Sequence, residues 1–435
     1  MTGDVEDISC FLVYIICLDK LAEQIQKRSK KMNVQENIKK QRYLGKSGLI
    51  FFITLMNMFI PLSTDLYMPA LPTMSDYFGV SSVLTNMTLV SFFFFYAVGT
   101  LFWGPMSDKY GRKKVLVVGT VLYVLSSAIC AISMNVYMMI LARVVQGIGA
   151  GAITAVSMAL IKDCFAGKQR ETILAIVQSV AGLAPMIAPV LGAILLKVID
   201  WRGSFVVLTI VGALCLFLSL LYQETLQEEE RYEGTILGSL GRLVAVGKNM
   251  GFLIPCIIFS LYNLAFMGYI AMSSYIYVEF FGLTAQVYSY FFAANAALSM
   301  VGPMLYVRFM TGFNKKKFAM VCFTLYAICG AAIVLFGGMS PFLFWIGFAP
   351  FSLMGTITRP FGTNIMLDQQ TGDTGSASSL INGIATILGS VGMMCASMFP
   401  NIVAGLGIII CATGIVSIFG WMLLMRSSLP CRGVK

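Results

Sequence analysis

Two ionisable side chains inside long apolar segments are the residues best placed to do chemistry in this sequence. Asp65 lies in LIFFITLMNMFIPLSTDLYMP (Leu49–Pro69), and Arg143 lies in LARVVQGIGAG (Leu141–Gly151). A charged side chain within a membrane span costs about 3 kcal/mol on insertion scales, so it usually faces a partner or a water-filled cavity. A carboxylate in such a place can take up and release a proton, and we therefore expect Asp65 to be functional. The alternatives are that it caps a helix broken near a proline or sits in a wet outer mouth.

Gln146 lies on the same helix face as Arg143, because residues three apart on a helix are neighbours. Counted from the predicted ends of their segments, Arg143 and Asp65 fall in the same outer layer of the membrane, which would let the two charges act together. The alternative for Arg143 is that its long side chain reaches the outer interface. Gly147 and Gly151 form a pair of small residues that lets another helix approach closely.

The composition identifies the elements that must position these side chains. Apolar residues make up 58% of 435 positions and charged residues 11%, against roughly 25% charged residues in a soluble domain. The sequence therefore predicts an all-α, polytopic membrane protein. It contains no His, and so lacks the usual zinc ligand and the usual neutral-pH general base, which argues against a metal site, a cofactor enzyme or any other enzyme. The net charge of +10 follows the loops and does not indicate nucleic-acid binding.

Twelve apolar segments of membrane-spanning length recur along the chain, six on each side of a polar linker. We predict a basic tail (1–46), a six-helix bundle (47–222), a linker (223–250), a second six-helix bundle (251–426) and a short tail (427–435). The short apolar stretch Ile8–Leu18 is interpreted as an interfacial helix or an extended start. The predicted spans are 49–69, 84–104, 114–133, 136–160, 171–196, 203–222, 252–276, 287–307, 317–338, 341–363, 376–399 and 402–425.

The distribution of basic residues predicts the orientation of the chain. Of 30 Lys and Arg residues, only Lys197 and Arg202 fall in segments assigned to the side opposite the N-terminus. Basic loops stay in the cytoplasm, so both termini are expected to be cytoplasmic.

The two halves also share a sequence fragment. GPMSDKYGRKK (Gly104–Lys114) follows the second segment, and GPMLYVRFMTGFNKKK (Gly302–Lys317) follows the eighth. Each opens with GPM and closes with a basic cluster, which indicates an internal duplication and two pseudo-symmetric bundles.

The first copy resembles the signature loop of the major facilitator superfamily, G-x-L-a-D-r-x-G-r-k, and is expected to be a tight turn between two spans. The match is carried by Gly104, Asp108, Gly111, Arg112 and Lys113. The resemblance implies that Asp108 lies against the start of the eleventh span, near 374–376, where the helix dipole favours an anion. It also implies that Arg112 pairs with Asp163 at the cytoplasmic end of the fourth span, so that these contacts hold the two halves together on the inside.

The fifth span carries a second matched pattern. AGLAPMIAPVLGA places small residues on one helix face, and its two prolines favour a bend. It resembles the antiporter motif of the same superfamily, with Ala replacing Gly at three positions. The residues that carry this resemblance are Pro185, Ala188, Pro189 and Gly192. Together with the first span and Arg143, the chain from about 46 to 426 resembles the bicyclomycin-resistance (Bcr/CflA) branch of twelve-span drug:proton antiporters.

This resemblance implies a monomeric multidrug exporter of the bacterial inner membrane that alternates access around a central cavity. The proton gradient would drive it, Asp65, Arg143 and Gln146 would couple proton to substrate, and the substrates would be small apolar or cationic drugs. Aromatic and Met side chains suit such ligands, and the candidates for the cavity wall are Tyr67, Met68, Tyr262, Phe266 and Met267. The alternatives are a dedicated exporter of one metabolite and a membrane receptor or scaffold that moves no solute.

Overall fold

A computed structural model describes residues 41–232, 234, 236–310, 313–369 and 374–427. The basic tail to residue 40, with the Ile8–Leu18 stretch, and the last eight residues lie outside this described part of the chain.

Twelve long helices, α1 to α12, account for most of the described residues, and no strand occurs among them. Eleven have the length and apolar content to cross a membrane, and the fifth helix contains the shorter apolar stretch Gly182–Val198. The predicted all-α membrane fold is therefore confirmed. The helices, in order, are Gly45–Asp65, Ser82–Tyr110, Arg112–Ala131, Val136–Cys164, Gly167–Val198, Arg202–Leu221, Met250–Ser274, Ala285–Leu305, Lys315–Ala332, Pro341–Asp368, Thr374–Ser397 and Ile402–Arg426.

The first span extends further than the sequence predicted. Instead of ending at Pro69, the chain leaves α1 after Asp65, makes a single turn over Met68–Ala70 and resumes as a short helix, Leu71–Phe78. Pro69 and Pro72 are the second residues of these two pieces. A missing N–H is tolerated in the first turn of a helix, but a continuous helix through these prolines is not. Asp65 consequently lies at a break inside the span, deeper than an outer-end position.

The signature stretch contains the predicted tight turn, but the turn is shorter than the predicted span ends implied. Residues 104–110 continue α2, and α3 begins at Arg112, so Gly111 alone makes the turn. Its φ of 97° lies in a region that costs an L-residue side chain strain and costs glycine little.

The helices pack in the same pairs within each half. In the N-terminal half α2 and α3 pack on α4, and α3 packs on α6; in the C-terminal half α8 and α9 pack on α10, and α9 packs on α12. Between the halves α2 packs on α11 and α5 on α8.

Glycines set the closest helix approaches. A Cβ built on Gly147 would lie 2.4 Å from the carbonyl oxygen of Phe92, so this position lets α4 approach α2 as the small-residue pair predicted. A Cβ on Gly192 of α5 would lie 1.8 Å from the carbonyl oxygen of Leu66, and one on Gly392 of α11 would lie 1.8 Å from that of Leu264. The two halves therefore repeat one contact at matching positions.

Candidate functional site

The Arg143 guanidinium is buried inside the N-terminal half, with no exposed surface. Nε donates to the Thr88 carbonyl oxygen at 3.1 Å, and Nη1 donates to Gln146 Oε1 at 2.5 Å. Its Cζ lies 4.2 Å from the centroid of the Phe92 ring and 4.8 Å from that of Tyr67. The alternative in which Arg143 reaches the outer interface is therefore wrong, because cation–π contacts and hydrogen bonds hold it in the interior.

Gln146 links this arginine to the third helix. Its Oε1 accepts from Arg143, and its Nε2 donates to Ser127 Oγ at 2.6 Å. Both polar ends of the amide are therefore satisfied, and the i, i+3 spacing recognised in the sequence positions the pair on one face of α4.

Arg143 also stabilises the break in the first helix. The last carbonyls of a helix lack intrahelical donors, and in a membrane interior water does not replace them. Arg143 Nη1 donates to the Ser63 carbonyl oxygen at 3.0 Å, and Ser204 Oγ donates to the Leu66 carbonyl oxygen at 3.3 Å. A cation at a helix C-terminus is also electrostatically favourable. Sequence reasoning missed Ser204, because nothing in its local pattern connects it to α1.

Asp65 is buried, with 5% of its surface exposed. Thr64 Oγ1 donates to its Oδ1 at 2.9 Å, and the Met68–Ala70 turn that follows Asp65 packs against α8 of the other half. No salt bridge joins Asp65 to Arg143 within the described chain. Arg143 reaches the Ser63 carbonyl, two residues away, so the two charges share a layer without direct pairing.

The predicted cavity residues fall into two groups. Tyr67 and Met68 have no exposed surface, and Tyr67 is held by a 3.1 Å hydrogen bond between its hydroxyl and that of Thr88. These two do not line an open cavity in this conformation, because the surrounding helices enclose both side chains completely. Tyr262, Phe266 and Met267 are half-buried on α7.

An aromatic cluster surrounds the α7 residues. The Tyr262 and Phe266 rings stack at a centroid distance of 5.4 Å, and the Tyr262 hydroxyl donates to the Ser352 carbonyl oxygen at 3.3 Å. This cluster presents aromatic rings and few fixed polar groups, which suits the binding of ligands that are largely apolar.

A second polar network lies at the predicted cytoplasmic end of the N-terminal half. Arg112 Nε donates to Asp163 Oδ2 at 3.0 Å, which is the pair that the signature resemblance implied. Arg112 Nη1 donates to Ser107 Oγ at 2.7 Å and also pairs with Asp108. The Thr374 side chain lies outside the described residues, so the expected contact of Asp108 with the start of α11 stays a prediction.

Glu224 completes this network and was missed in the sequence. Its carboxylate accepts backbone N–H groups at the start of α3, from Arg112 at 3.1 Å and Lys113 at 3.0 Å, and also those of Thr225 and Leu226. A Cβ on Gly111 would lie 2.6 Å from Glu224 Oε2. Glycine at 111 therefore serves both the turn and the close approach of a carboxylate to a helix N-terminus.

The first residues of the linker close over the same network. The Tyr232 backbone N–H donates to the Asp108 carbonyl oxygen at 3.0 Å, and Lys109 Nζ donates to the Gly234 carbonyl oxygen at 3.2 Å. Gly104 begins the signature stretch, and a Cβ placed on it would meet no other atom within 4 Å. Its carbonyl oxygen accepts a hydrogen bond from Ser107 Oγ at 2.8 Å. A cavity of about 620 Å³ remains there, and its lining includes Asp108, Arg112, Lys162, Asp163, Arg231 and Tyr232.

The proline-containing fifth helix lies against the broken first helix. Ala188 is buried, Gly192 contacts the Leu66 carbonyl as described, and Pro185 and Pro189 lie inside the continuous helix α5. The small-residue face predicted from the sequence therefore lets α5 approach the break beside Asp65. Among the described residues no group of three or more Cys, Asp or Glu side chains could hold a metal ion.

Comparisons with known proteins agree with this architecture. Residues 49–393 match the family model described as Major Facilitator Superfamily. A bicyclomycin resistance protein homolog of Haemophilus influenzae is 26% identical over 398 residues, covering 89% of this chain and 99% of that protein. The chloramphenicol resistance protein CraA of Acinetobacter baumannii is 30% identical over 39% of this chain and 42% of its own. The crystal structure of a D-xylose-proton symporter superposes with a TM-score of 0.68 at 13% identity, covering 89% of this chain and 98% of the other, and so shares the fold.

Proposed function

The chain belongs to the Major Facilitator Superfamily, and we propose that it is a proton-coupled exporter of drug-like compounds that works by alternating access. It is a transporter and not an enzyme. Relatives named for bicyclomycin and chloramphenicol resistance support drug-like substrates.

The observation that carries the proton-coupled part of the proposal is the position of Asp65. Its buried carboxylate lies at a helix break, beside the turn that packs against α8 of the other half, and no salt bridge to it occurs within the described chain. A group in such a place can respond to a rearrangement of the two halves, because its surroundings come from both. We infer that Asp65 binds a proton when the protein faces outwards, then releases it and accepts substrate when the protein faces inwards. The proton gradient supplies the energy, and no cofactor is required.

The network around Arg112 is proposed to act as an inner gate. Arg112 joins the end of α2 to the end of α4, and Glu224 fixes the start of α3. These contacts make the cytoplasmic end of the N-terminal half one rigid unit that can dock against α11 or separate from it.

We propose that the protein is a monomer of the bacterial inner membrane with both termini in the cytoplasm. The distribution of Lys and Arg supports this orientation. A green fluorescent protein fused after residue 435 should fluoresce, and alkaline phosphatase inserted in the loop near Asp200 should be active. The reverse pattern would contradict the orientation.

A resistance assay tests the substrate class. The gene is expressed in a bacterium that lacks its main efflux pumps, and growth is measured against a panel that includes bicyclomycin, chloramphenicol and ethidium, with the Asp65→Asn variant as the inactive control. We expect raised resistance to several unrelated compounds. Resistance to one compound alone would favour a dedicated exporter, and no change despite normal membrane insertion would favour a receptor or scaffold.

A further inference from the structure

The repeated glycine contact identifies the C-terminal counterpart of Asp65. Gly192 lies against the Leu66 carbonyl and Gly392 against the Leu264 carbonyl. A Cβ placed on either glycine would lie 1.8 Å from the carbonyl oxygen. The residue before the contacted carbonyl is Asp65 in the first helix and Asn263 in α7. The two halves therefore place a carboxylate and its neutral, nearly isosteric amide at matching positions.

Asn263 lies between the faces of α7 that pack on α10 and on α11, since Gly389 of α11 lies against Met267 and the Asn263 carbonyl oxygen. Leu264 faces α11, Tyr262 stacks among residues of α10, and the Ile258 carbonyl accepts from Ser417 of α12. Each residue turns a helix by ~100°, so Asn263 projects between the α10 and α11 faces. The α7 helix also contacts the Met68–Ala70 turn that follows Asp65.

The Asn263 side chain is unpartnered in the part of the chain that the structure describes. It is half-buried in the middle of an apolar helix, and no side-chain hydrogen bond to it occurs among the described residues. An amide in an apolar segment is costly unless it is used, and Asn is a poor helix former. The nearby amide of Asn295 differs, because its Nδ2 donates to Ser352 Oγ at 3.3 Å within the packing of α8 on α10.

We propose that Asn263 determines substrate specificity by binding uncharged hydrogen-bonding groups of the substrate opposite Asp65, an inference that rests on the proposed function. An amide offers two N–H donors and one carbonyl acceptor, and its charge does not change with pH. The helices α7, α8 and α11 contain no charged residue. On this side of the site, Tyr262 and Phe266 therefore contact the aromatic part of the substrate, and Asn263 hydrogen-bonds its neutral amide or hydroxyl group. Asp65 alone exchanges the proton.

The test compares chloramphenicol, a neutral aromatic amide with hydroxyl groups, with ethidium, a cationic aromatic compound, on the purified full-length protein in detergent. Binding of both probes and proton release into a lightly buffered solution with a pH dye are measured for wild type, Asn263→Ala, Asn263→Asp and the control Asn295→Ala. We expect Asn263→Ala to weaken chloramphenicol binding about three- to tenfold, the effect of one lost hydrogen bond. The protons released per chloramphenicol bound should not change.

The aspartate variant gives a second, independent readout. Asn263→Asp should favour ethidium over chloramphenicol about tenfold or more relative to wild type, because a carboxylate attracts a cation and repels no neutral ligand. The proposal would be overturned if both Asn263 variants bound both probes with affinities within twofold of wild type. It would also be overturned if Asn295→Ala lost as much chloramphenicol affinity as Asn263→Ala. Absence of proton release by the wild-type protein would instead contradict proton coupling, while the binding affinities would still decide the role of Asn263.

Discussion

At the scale of single residues, the Asp65 carboxylate should carry the exchanged proton. Asp65→Asn keeps the shape of the side chain and removes its charge, so the protein should insert and fold while substrate-induced proton release falls to background. Release is measured with a pH dye after chloramphenicol is added to the purified protein. Asp76→Asn, an exposed carboxylate of the same span, should release protons like the wild type. A wild-type amount from Asp65→Asn would assign the proton to another carboxylate, with Glu279 at the outer end of the seventh span next.

The contribution of Arg143 to stability and transport should depend on the shape of its guanidinium as well as on its charge. Arg143→Lys retains the cation but cannot bond the Thr88 and Ser63 carbonyls and Gln146 together. Each orphaned buried acceptor costs about 1–3 kcal/mol, so the melting temperature should fall and transport should be lost. Arg308→Lys, at an exposed site just after α8, is the control and should change stability by less than ~0.5 kcal/mol. Full transport by Arg143→Lys would show that charge alone suffices.

At the scale of elements, two prolines explain why the first helix breaks and α7 does not. Pro69 and Pro72 follow the break, whereas Met267 and Ile270 take the matching positions of α7. Changing both prolines to Ala removes the obstacle to a continuous helix, worth about 3 kcal/mol for a proline in a helix interior. Amide hydrogen exchange over 66–72 should slow and transport should fall, because the carbonyls that Arg143 and Ser204 bind would be used within the helix.

The control for the broken helix is Pro341→Ala. Pro341 lies at the first position of α10, where proline is already tolerated, so both exchange and transport should stay near wild type. Unchanged exchange over 66–72 in the double variant, together with full transport, would show that surrounding contacts and not the prolines maintain the break.

The start of α3 should depend on Glu224 to a measurable extent. Glu224→Gln leaves one acceptor oxygen and adds an N–H₂ group that faces other donors, so we expect a loss of about 1–3 kcal/mol in thermal unfolding. Gly111→Ala should be at least as damaging, because its Cβ would enter the same carboxylate at a strained φ of 97°. Glu228→Gln, an 83% exposed carboxylate, is the matched control and should stay within about 0.5 kcal/mol of wild type.

At the scale of the whole molecule, the outer ends of the halves are joined by neutral hydrogen bonds. The Tyr275 hydroxyl lies 3.0 Å from Ser75 Oγ and 3.4 Å from the Leu71 carbonyl oxygen, and Asn86 Nδ2 lies 3.1 Å from Met272 Sδ. Leu71 and Ser75 belong to the short helix that follows the break. A movement of the chain at Asp65 can therefore move this helix and alter its contact with Tyr275. Tyr275→Phe should therefore shift the population towards an outside-open state.

The shift is measured as a distance between spin labels on cysteines placed at Val80 and Phe280, in a variant without native cysteines. We expect a longer distance component to gain population in Tyr275→Phe, by about five- to tenfold in the equilibrium constant for a hydrogen bond of ~1 kcal/mol. Ser289→Ala, a buried hydroxyl that bonds the Gln286 carbonyl within its own helix, should leave the distances unchanged. An unchanged distribution in Tyr275→Phe would show that the outer contact does not limit opening.

Most of the fold could be predicted from the sequence, because a membrane span depends on composition averaged over about 20 residues. Eight of the predicted segments begin and end within four residues of the observed helices, the ninth helix ends six residues before its predicted end, and the tenth ends five residues after it. The first two segments differ for local reasons. The first span continues beyond Pro69 since a second proline restarts it, and the signature stretch stays helical to Tyr110 since one glycine suffices for the turn. The Arg112–Asp163 pair followed from the resemblance to a known motif.

The sequence by itself determined that this protein lies in a membrane, how many spans it has and where its rare charged residues fall within them. Hydropathy alone identifies these features, because a lipid bilayer requires apolar spans. Only the tertiary structure decided what those charges contact. Arg143 binds the Ser63 carbonyl instead of pairing with Asp65, Glu224 reaches the start of α3 from beyond the sixth span, and Asn263 matches Asp65. Hydropathy reports burial, whereas a hydrogen bond needs two faces to meet, and which faces meet is set by helix packing between residues far apart in sequence.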